Sequence, residues 1–335
     1  MQTLTKQQHI RLTFIGGIIV IVLLTTCALF CGRITLSPDE LWDALVKPAA
    51  NPAISSVLYT IRLPRIIGSL LIGGGLAAAG CAFQSIFYNP LVSPDILGVS
   101  YGAAVGAATA ILLGGGIWLT QLLAFAGGLI AVSLTLLLAR LIKQHGTLIL
   151  VLAGIVVSGF MQALIGLLKY IADPDSQLQS IVYWQLGSLA KVDFTNILAV
   201  LPTLIIGAGL LFLLRWHLTI LSLGETIAST QGINIHRERL LLISAGTILT
   251  AGTVCLSGNI GWVGLVIPHM AKALTGDDSR YALPLSAIFG ACFLLLVDTL
   301  ARSLSAGEIP LSILTGFIGA PLFVYILLKN RVKLL

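Results

Sequence analysis

The sequence predicts an all-α polytopic membrane protein of about ten transmembrane helices, and three observations carry that prediction. Of its 335 residues, 57% are apolar and 10% are charged, whereas a water-soluble domain carries about 25% charged residues to keep its surface wet. Mean hydropathy is +1.01. Apolar runs of roughly 20 residues, each long enough to cross a ~30 Å hydrocarbon core, follow one another along the chain. This composition excludes disorder, collagen and a secreted disulfide scaffold. The net charge of +6 is scattered through short connections and forms no basic stripe, so a nucleic-acid partner is not expected.

Runs bounded by charge, Gly or Pro fall near 12–31, 64–87, 94–113, 117–140 and 147–169, then 194–214, 240–258, 260–275, 281–301 and 310–328. Lys6 and Arg11 precede the first run in the manner of a signal peptide, but it extends about 20 residues with no small-residue cleavage site, so it reads as a retained span. Gly258, Gly261 and Gly264 interrupt the boundary of the seventh and eighth runs, where a re-entrant turn or a tight hairpin fits. An even count puts both termini on one side. With cytoplasmic termini, Lys6, Arg11, Arg140, Lys143, Arg215, Arg237, Arg239, Lys272, Arg280, Lys329, Arg331 and Lys333 lie inside. Arg33, Lys47, Arg62, Arg65, Lys169, Lys191 and Arg302 lie outside, and twelve against seven satisfies the positive-inside rule.

Lipid removes the hydrophobic drive for helix association, so spans pack through small residues that let backbones approach. The 35 glycines supply them, in Gly73-Gly74-Gly75, Gly102-xxx-Gly106, Gly154-xxx-Ser158 and Gly316-xxx-Ala320. Asp298 is the one carboxylate well inside a run. Set four residues before Arg302, it reads as a local i, i+4 pair rather than part of a proton relay. Cys27, Cys31, Cys81, Cys255 and Cys292 lie in apolar runs without a CxxC pair and read as buried inert thiols. His269, after Pro268, reads as a satisfied polar residue at a helix end, with a ligand or base as the alternative. No HExxH motif or GK dipeptide occurs, so the chain has no phosphate-cradling loop and an ATP-driven process needs a separate nucleotide-binding subunit.

Two features carry function. The connection 215–239 contains Leu223-Gly224-Glu225, which reads as a helix start with an acid at the positive end of the dipole, and Gly232, which reads as its stop. Ile227 and Ala228 are its apolar contacts. A helix of about two turns is marginal alone, so it packs either on a partner or on its own bundle. In Ile61-Arg62-Leu63-Pro64-Arg65, with Arg302 at another outer end, the arginines are either snorkelling anchors or a rigid basic patch facing a partner's carboxylates.

The stretches Ile61–Arg65, Asn89-Pro90-Leu91 through Pro94, Gly98 and Gly102, Gly261-Trp262-Val263-Gly264 through Pro268-His269, and Asp298 to Arg302 resemble the FecCD-type permeases. Leu223-Gly224-Glu225, Glu308-Ile309-Pro310 and Gly319-Ala320-Pro321 extend the resemblance over nearly the whole chain. Such permeases are the membrane subunits of ABC importers for ferric siderophores, haem and cobalamin, and similar ones serve molybdate or tungstate. The resemblance implies a single permease domain over 1–335, with inverted repeat halves at 62–170 and 238–328 and the coupling loop at 215–239. It also implies a homodimer, two ATPase subunits holding ATP and Mg beneath it, and a periplasmic binding protein above it, in the bacterial inner membrane. No cofactor is expected on this chain. By the same resemblance Arg62, Arg65 and Arg302 dock the receptor, and Leu223, Gly224, Glu225, Ala228 and Gly232 couple to the ATPase. Gly146, Thr147 and Leu148 take the cytoplasmic gate position. The fifth and tenth spans, with Gly154, Ser158 and Gly316, line the path. The competing readings are an ATP-independent carrier or channel and, third, a membrane enzyme.

Overall fold

The computed structural model describes residues 6–32, 34–48, 51–142, 146–232, 234–305 and 307–329. Arg33, Lys143, Arg331 and Lys333, counted above for orientation, lie outside them, as do the side chains of Lys6, Glu225 and Lys329. Within these residues every regular element is helical. Hydrocarbon offers no partner for a free N–H or C=O, and a helix satisfies both within one segment.

The elements are α1 (Lys6–Phe30), α2 (Pro38–Val46), α3 (Pro52–Ser56), α4 (Leu63–Ile86), α5 (Val99–Leu112), α6 (Ile117–Leu141), α7 (Thr147–Ile171) and α8 (Gln177–Gln185). There follow α9 (Phe194–Leu213), α10 (Arg215–Leu221), α11 (Glu225–Thr230), α12 (Ile235–Ser257), α13 (Val263–Thr275), α14 (Ser279–Leu304) and α15 (Leu311–Lys329). A π-helical segment, Val57–Arg62, joins α3 to α4, and a 3₁₀ turn, Pro94–Leu97, leads into α5. Among the described residues seven helices are long and apolar enough to cross a membrane, and Val99–Leu112, Val263–Thr275 and Leu311–Ile326 are shorter apolar helices. At 14 residues α5 is about 21 Å long, less than the hydrocarbon thickness, because part of the run read as the third span is the 3₁₀ turn. The boundary left open near Gly258 is a turn that separates α12 from a 13-residue α13.

Glycine decides the helix crossings. A Cβ on Gly73 would strike the Gly290 carbonyl, one on Gly102 the Gly127 carbonyl, and one on Gly80 the Gly264 carbonyl. These contacts set α4 on α14, α5 on α6, and α4 on α13 at backbone-to-backbone distance, the packing that small residues permit in lipid. The core therefore runs along α4 and α12, whose faces are buried nearly throughout, while α1 lies at the edge with Ile15, Ile18, Val22 and Leu23 exposed.

Candidate functional site

The residues singled out by sequence gather at the two ends of the bundle. Ser85 and Ser279 meet at 3.2 Å and Thr219 donates to Asp278 at 3.2 Å, so α10 and α11 lie where α4 finishes and α14 begins. Arg65, at the start of α4, meets Asp298, near the finish of α14, and marks the opposite end.

At the Arg65 end the chain builds a buried charge cluster. The Arg65 Nε donates to both Asp298 carboxylate oxygens at 2.8 and 3.1 Å, and its Nη1 donates to Glu308 at 2.9 Å. Arg302 Nη2 donates to the Ala28 carbonyl at 2.7 Å, and its Nε stands 3.8 Å from Asp298. Arg62 donates to the Leu29 and Ile34 carbonyls. Ala28 and Leu29 belong to the last turn of α1, whose carbonyls have no partner within the helix, so two guanidinium groups serve as its C-terminal cap. Three cations face two carboxylates here, and the negative end of the α1 dipole offsets the excess. Gly32, beside Arg302 and Arg62, leaves room for both.

Arg62, Arg65 and Arg302 are 2%, 4% and 7% exposed. Burial at low dielectric drives each guanidinium to an internal acceptor, so within the chain the three arginines tie α1, α4, α14 and Glu308 together rather than standing as free surface charges. Asp298 is likewise more than a local pair, since its strongest partner comes from α4. Glu308 holds its place on Arg65 from a left-handed backbone, φ +52°, a conformation uncommon outside Gly and Asn.

At the opposite end, α11 projects from the connection. Gly224 at φ +100° and Gly232 at φ +74° bracket it. No atom lies within 4 Å of a Cβ built on either, so backbone freedom rather than space requires glycine there. Ala228 is fully buried against the bundle while Leu223 and Ile227 are 52% and 46% exposed. Ala228 therefore anchors the helix to its own chain, while the apolar side chains of Ile227 and Leu223 face outward. The backbone of Glu225 starts α11.

Sequence reasoning read 215–224 as loop and missed α10. The signal was available in Leu218, Ile220 and Leu221, all buried. Polar bonds hold α10 in place: His217 Nδ1 lies 2.8 Å from Glu238 on α12, and Arg280 lies 4.9 Å over the Trp216 ring. The Arg280 guanidinium also grips Asp278, the N-cap of α14, at 2.6 Å. By that hydrogen bond first, it holds the Asp278 carboxyl below the usual carboxylate range.

Gly146, at φ +138°, precedes Thr147 and Leu148, which open α7 at the α11 end, and Leu148 is 67% exposed. Gly154 and Ser158 lie elsewhere than expected. A Cβ on Gly154 would strike the Ile96 carbonyl, and Ser158 Oγ packs on Gly98, so both seat the Pro94–Leu97 turn against α7 rather than face an open path. The open face of α7 is Leu152, Ile155, Val156 and Phe160. Gly316 and Gly319 receive the Trp262 side chain, which stands at φ +72°. His269 is inside α13 rather than at its end, its buried Nε2 has no hydrogen-bond partner among the described residues, and its ring meets Phe323 edge-on at 6.1 Å. Cys27 on α1 and Cys31 just beyond its end are exposed, not buried. The reading of them as buried assumed that every apolar run is enclosed by protein.

A multi-pass helical bundle with its special residues at its two ends, rather than around an enclosed reaction centre, is the architecture of a transport permease. The FecCD transport family model matches residues 18–329, and the chain belongs to that family. It is 39% identical over 322 residues to the molybdate import system permease protein MolB of Haemophilus influenzae, covering 94% of this chain and 95% of that one. It is 35% identical to the hemin transport system permease protein HmuU of Yersinia pestis, over 97% of both chains. Among solved structures, an inward-facing metal-chelate type ABC transporter superposes with a TM-score of 0.86 at 38% identity, covering 95% of this chain and 99% of that one. The chain is accordingly a permease subunit of the ABC importer class.

Proposed function

We propose that the chain works as a homodimer above two ATP-hydrolysing subunits, which hold ATP and Mg, and below a periplasmic binding protein in the bacterial inner membrane. Its cargo is a metal-containing anion or chelate: molybdate or tungstate, ferric chelate, haem or cobalamin. The observation that carries the reading is α11. Leu223 and Ile227 expose apolar surface on a segment outside the membrane-crossing helices, where water rather than lipid is the neighbour. Such surface is a docking feature, and the anchored Ala228 lets a push on α11 reach α10, α12 and α14. Both flanking glycines fix its projection.

Ten spans with cytoplasmic termini fit the Lys/Arg distribution. An inverted repeat is supported by helix lengths: α4, α5, α6 and α7 have 24, 14, 25 and 25 residues, and α12, α13, α14 and α15 have 23, 13, 26 and 19. Each half opens on a buried long helix and continues with a short one, from opposite ends of the bundle. Such halves suit alternating access by rocking, with Gly146, Thr147 and Leu148 at the cytoplasmic gate and the open faces of α7 and α15 along the dimer axis.

The test is reconstitution of the chain with its ATPase and receptor in proteoliposomes, with uptake measured for molybdate, ferric citrate, haem and cobalamin. Accumulation of one of these that needs ATP and all three proteins supports the reading. Equal accumulation by the chain alone, driven by an ion gradient, would establish the carrier alternative.

A further inference from the structure

A cavity of about 780 Å³ opens at the Arg65 end, away from the charge cluster. Its floor is the turn between α5 and α6, its walls are α8 and the 188–191 segment, and its back is the end of α12. Its position follows from the chain itself: Gln177 of α8 donates to the Leu112 carbonyl at the finish of α5, and Ser188 N–H donates to the Ser257 carbonyl at the finish of α12. Nothing said above about coupling, packing or the charge cluster uses this space.

Three independent observations say what chemistry it suits. The N-terminus of α6 points into it. Gly116 is the N-cap and brings no side chain, so the first N–H groups of a 25-residue helix are left for another acceptor, and the positive end of the dipole lies there. Gln121, one turn into α6, lines the cavity and is 7% exposed, yet its side-chain amide has no hydrogen-bond partner among the described residues. The residue is otherwise enclosed by protein while its side chain lines the cavity, so its amide is held where a ligand can meet it. Lys191 is the one charged side chain on the lining, and no carboxylate is present there. Gln179 and Tyr183 add neutral donors on the α8 wall. Gly114 and Gly116 have open space around them, so the lining backbone is accessible.

We propose that this cavity is an anion site, in which an oxygen-rich anion accepts from the α6 N-terminus and the Gln121 amide and is neutralised by Lys191. Two sources supply that chemistry: the imported solute, pausing after release by the receptor, or the phosphate of an anionic lipid. The solute assignment rests on the importer reading above; the anion site itself does not.

The test uses the full chain in phosphatidylcholine nanodiscs without ATPase or receptor, so it reads binding independently of transport. Molybdate and ferric citrate binding is measured by equilibrium dialysis with metal analysis, and phosphatidylglycerol binding by native mass spectrometry. The expected result is saturable binding of at least one probe, weakened about tenfold or more by Lys191→Glu. Gln121→Met should weaken it by a smaller factor, with Lys169→Glu as an inert control. Lys191 is exposed, so its replacement leaves the fold intact and keeps the test valid if Gln121→Met is unstable. Tight binding of the metal anions assigns the solute source; binding of lipid alone assigns the headgroup source. No saturable binding of any probe, or binding that Lys191→Glu leaves unchanged, overturns the proposal. Absence of ATP-dependent uptake in the reconstituted assembly, with anion binding retained here, would instead count against the importer reading alone.

Discussion

The two ends of the bundle use charged and glycine-rich motifs of similar prominence in the sequence, and the structure treats them oppositely. At the Arg65 end, guanidinium groups are drawn inward onto Asp298, Glu308 and the last carbonyls of α1. At the α11 end, a short glycine-bracketed helix keeps one residue inside and two apolar residues outside. The difference teaches that a charged motif beside a span reports first on what the chain itself leaves unsatisfied. An apolar residue on a water-side loop reports on what the chain leaves for others.

That contrast is broken most severely by removing Asp298. Asp298→Ala leaves Arg65 buried with only Glu308, and loss of one partner of a buried pair costs about 3–5 kcal/mol. The detergent-solubilised protein should lose most of its thermal stability, and Arg65→Met combined with Asp298→Leu should recover roughly half or more of it. A single variant as stable as the parent would show that the cluster does not hold the helices together.

Next in size is Gly80→Val, which forces a side chain into the Gly264 backbone between α4 and α13. Overpacking of this kind costs about 1–3 kcal/mol, visible as a lower melting temperature, whereas Gly209→Ala, where no atom is within reach, should leave it unchanged.

The α11 end sharpens the comparison from the other side. Ile227→Asp changes an exposed residue and should alter stability by less than about 0.5 kcal/mol, while receptor-stimulated ATPase activity of the assembled transporter falls severely. Gly232→Val forces a β-branched residue into φ +74°, at a local strain of about 1–3 kcal/mol, and should uncouple without unfolding the long helices. Full coupling in both variants would return α11 to a loop helix resting on its own bundle.

The smallest effect is acid sensitivity. Arg280 holds the Asp278 carboxyl below its ordinary range. The stabilisation is therefore complete above the unfolded-state value near ~3.9 and is lost as pH falls through the lower folded value. Melting temperature should be flat from about pH 8 to 5 and decline below about 4, and Asp278→Asn should lessen that decline.

Much of the fold was legible because hydrocarbon imposes one rule on every span. The apolar runs near 64–87, 147–169 and 281–301 are α4, α7 and α14 within a few residues. The crossings were foreshadowed by Gly73 and Gly102, although the partner glycines, Gly290 and Gly127, are distant in sequence and no local pattern pairs them. The arginines were legible as special but not as internal, since their acceptors are main-chain carbonyls of residues 28, 29 and 34 and carboxylates 233 and 243 positions from Arg65. Gly154 and Ser158 misled for a related reason: a small-xxx-small spacing marks a close approach and does not say to what. The anion cavity had no signature at all, because Gly116, Gln121 and Lys191 converge only through the tertiary fold.

The central claim is that α11 is the surface through which another protein drives this one. It is tested most directly by disulfide or short-linker crosslinking of Ile227→Cys to the cognate ATPase in membrane vesicles, with Cys27 and Cys31, both exposed, replaced by Ser. Trp42→Cys, on exposed α2 at the opposite end, is the control. The account predicts a specific permease–ATPase adduct from Ile227→Cys that changes with nucleotide, and none from Trp42→Cys. No adduct from Ile227→Cys in an assembled, transport-competent complex would contradict it.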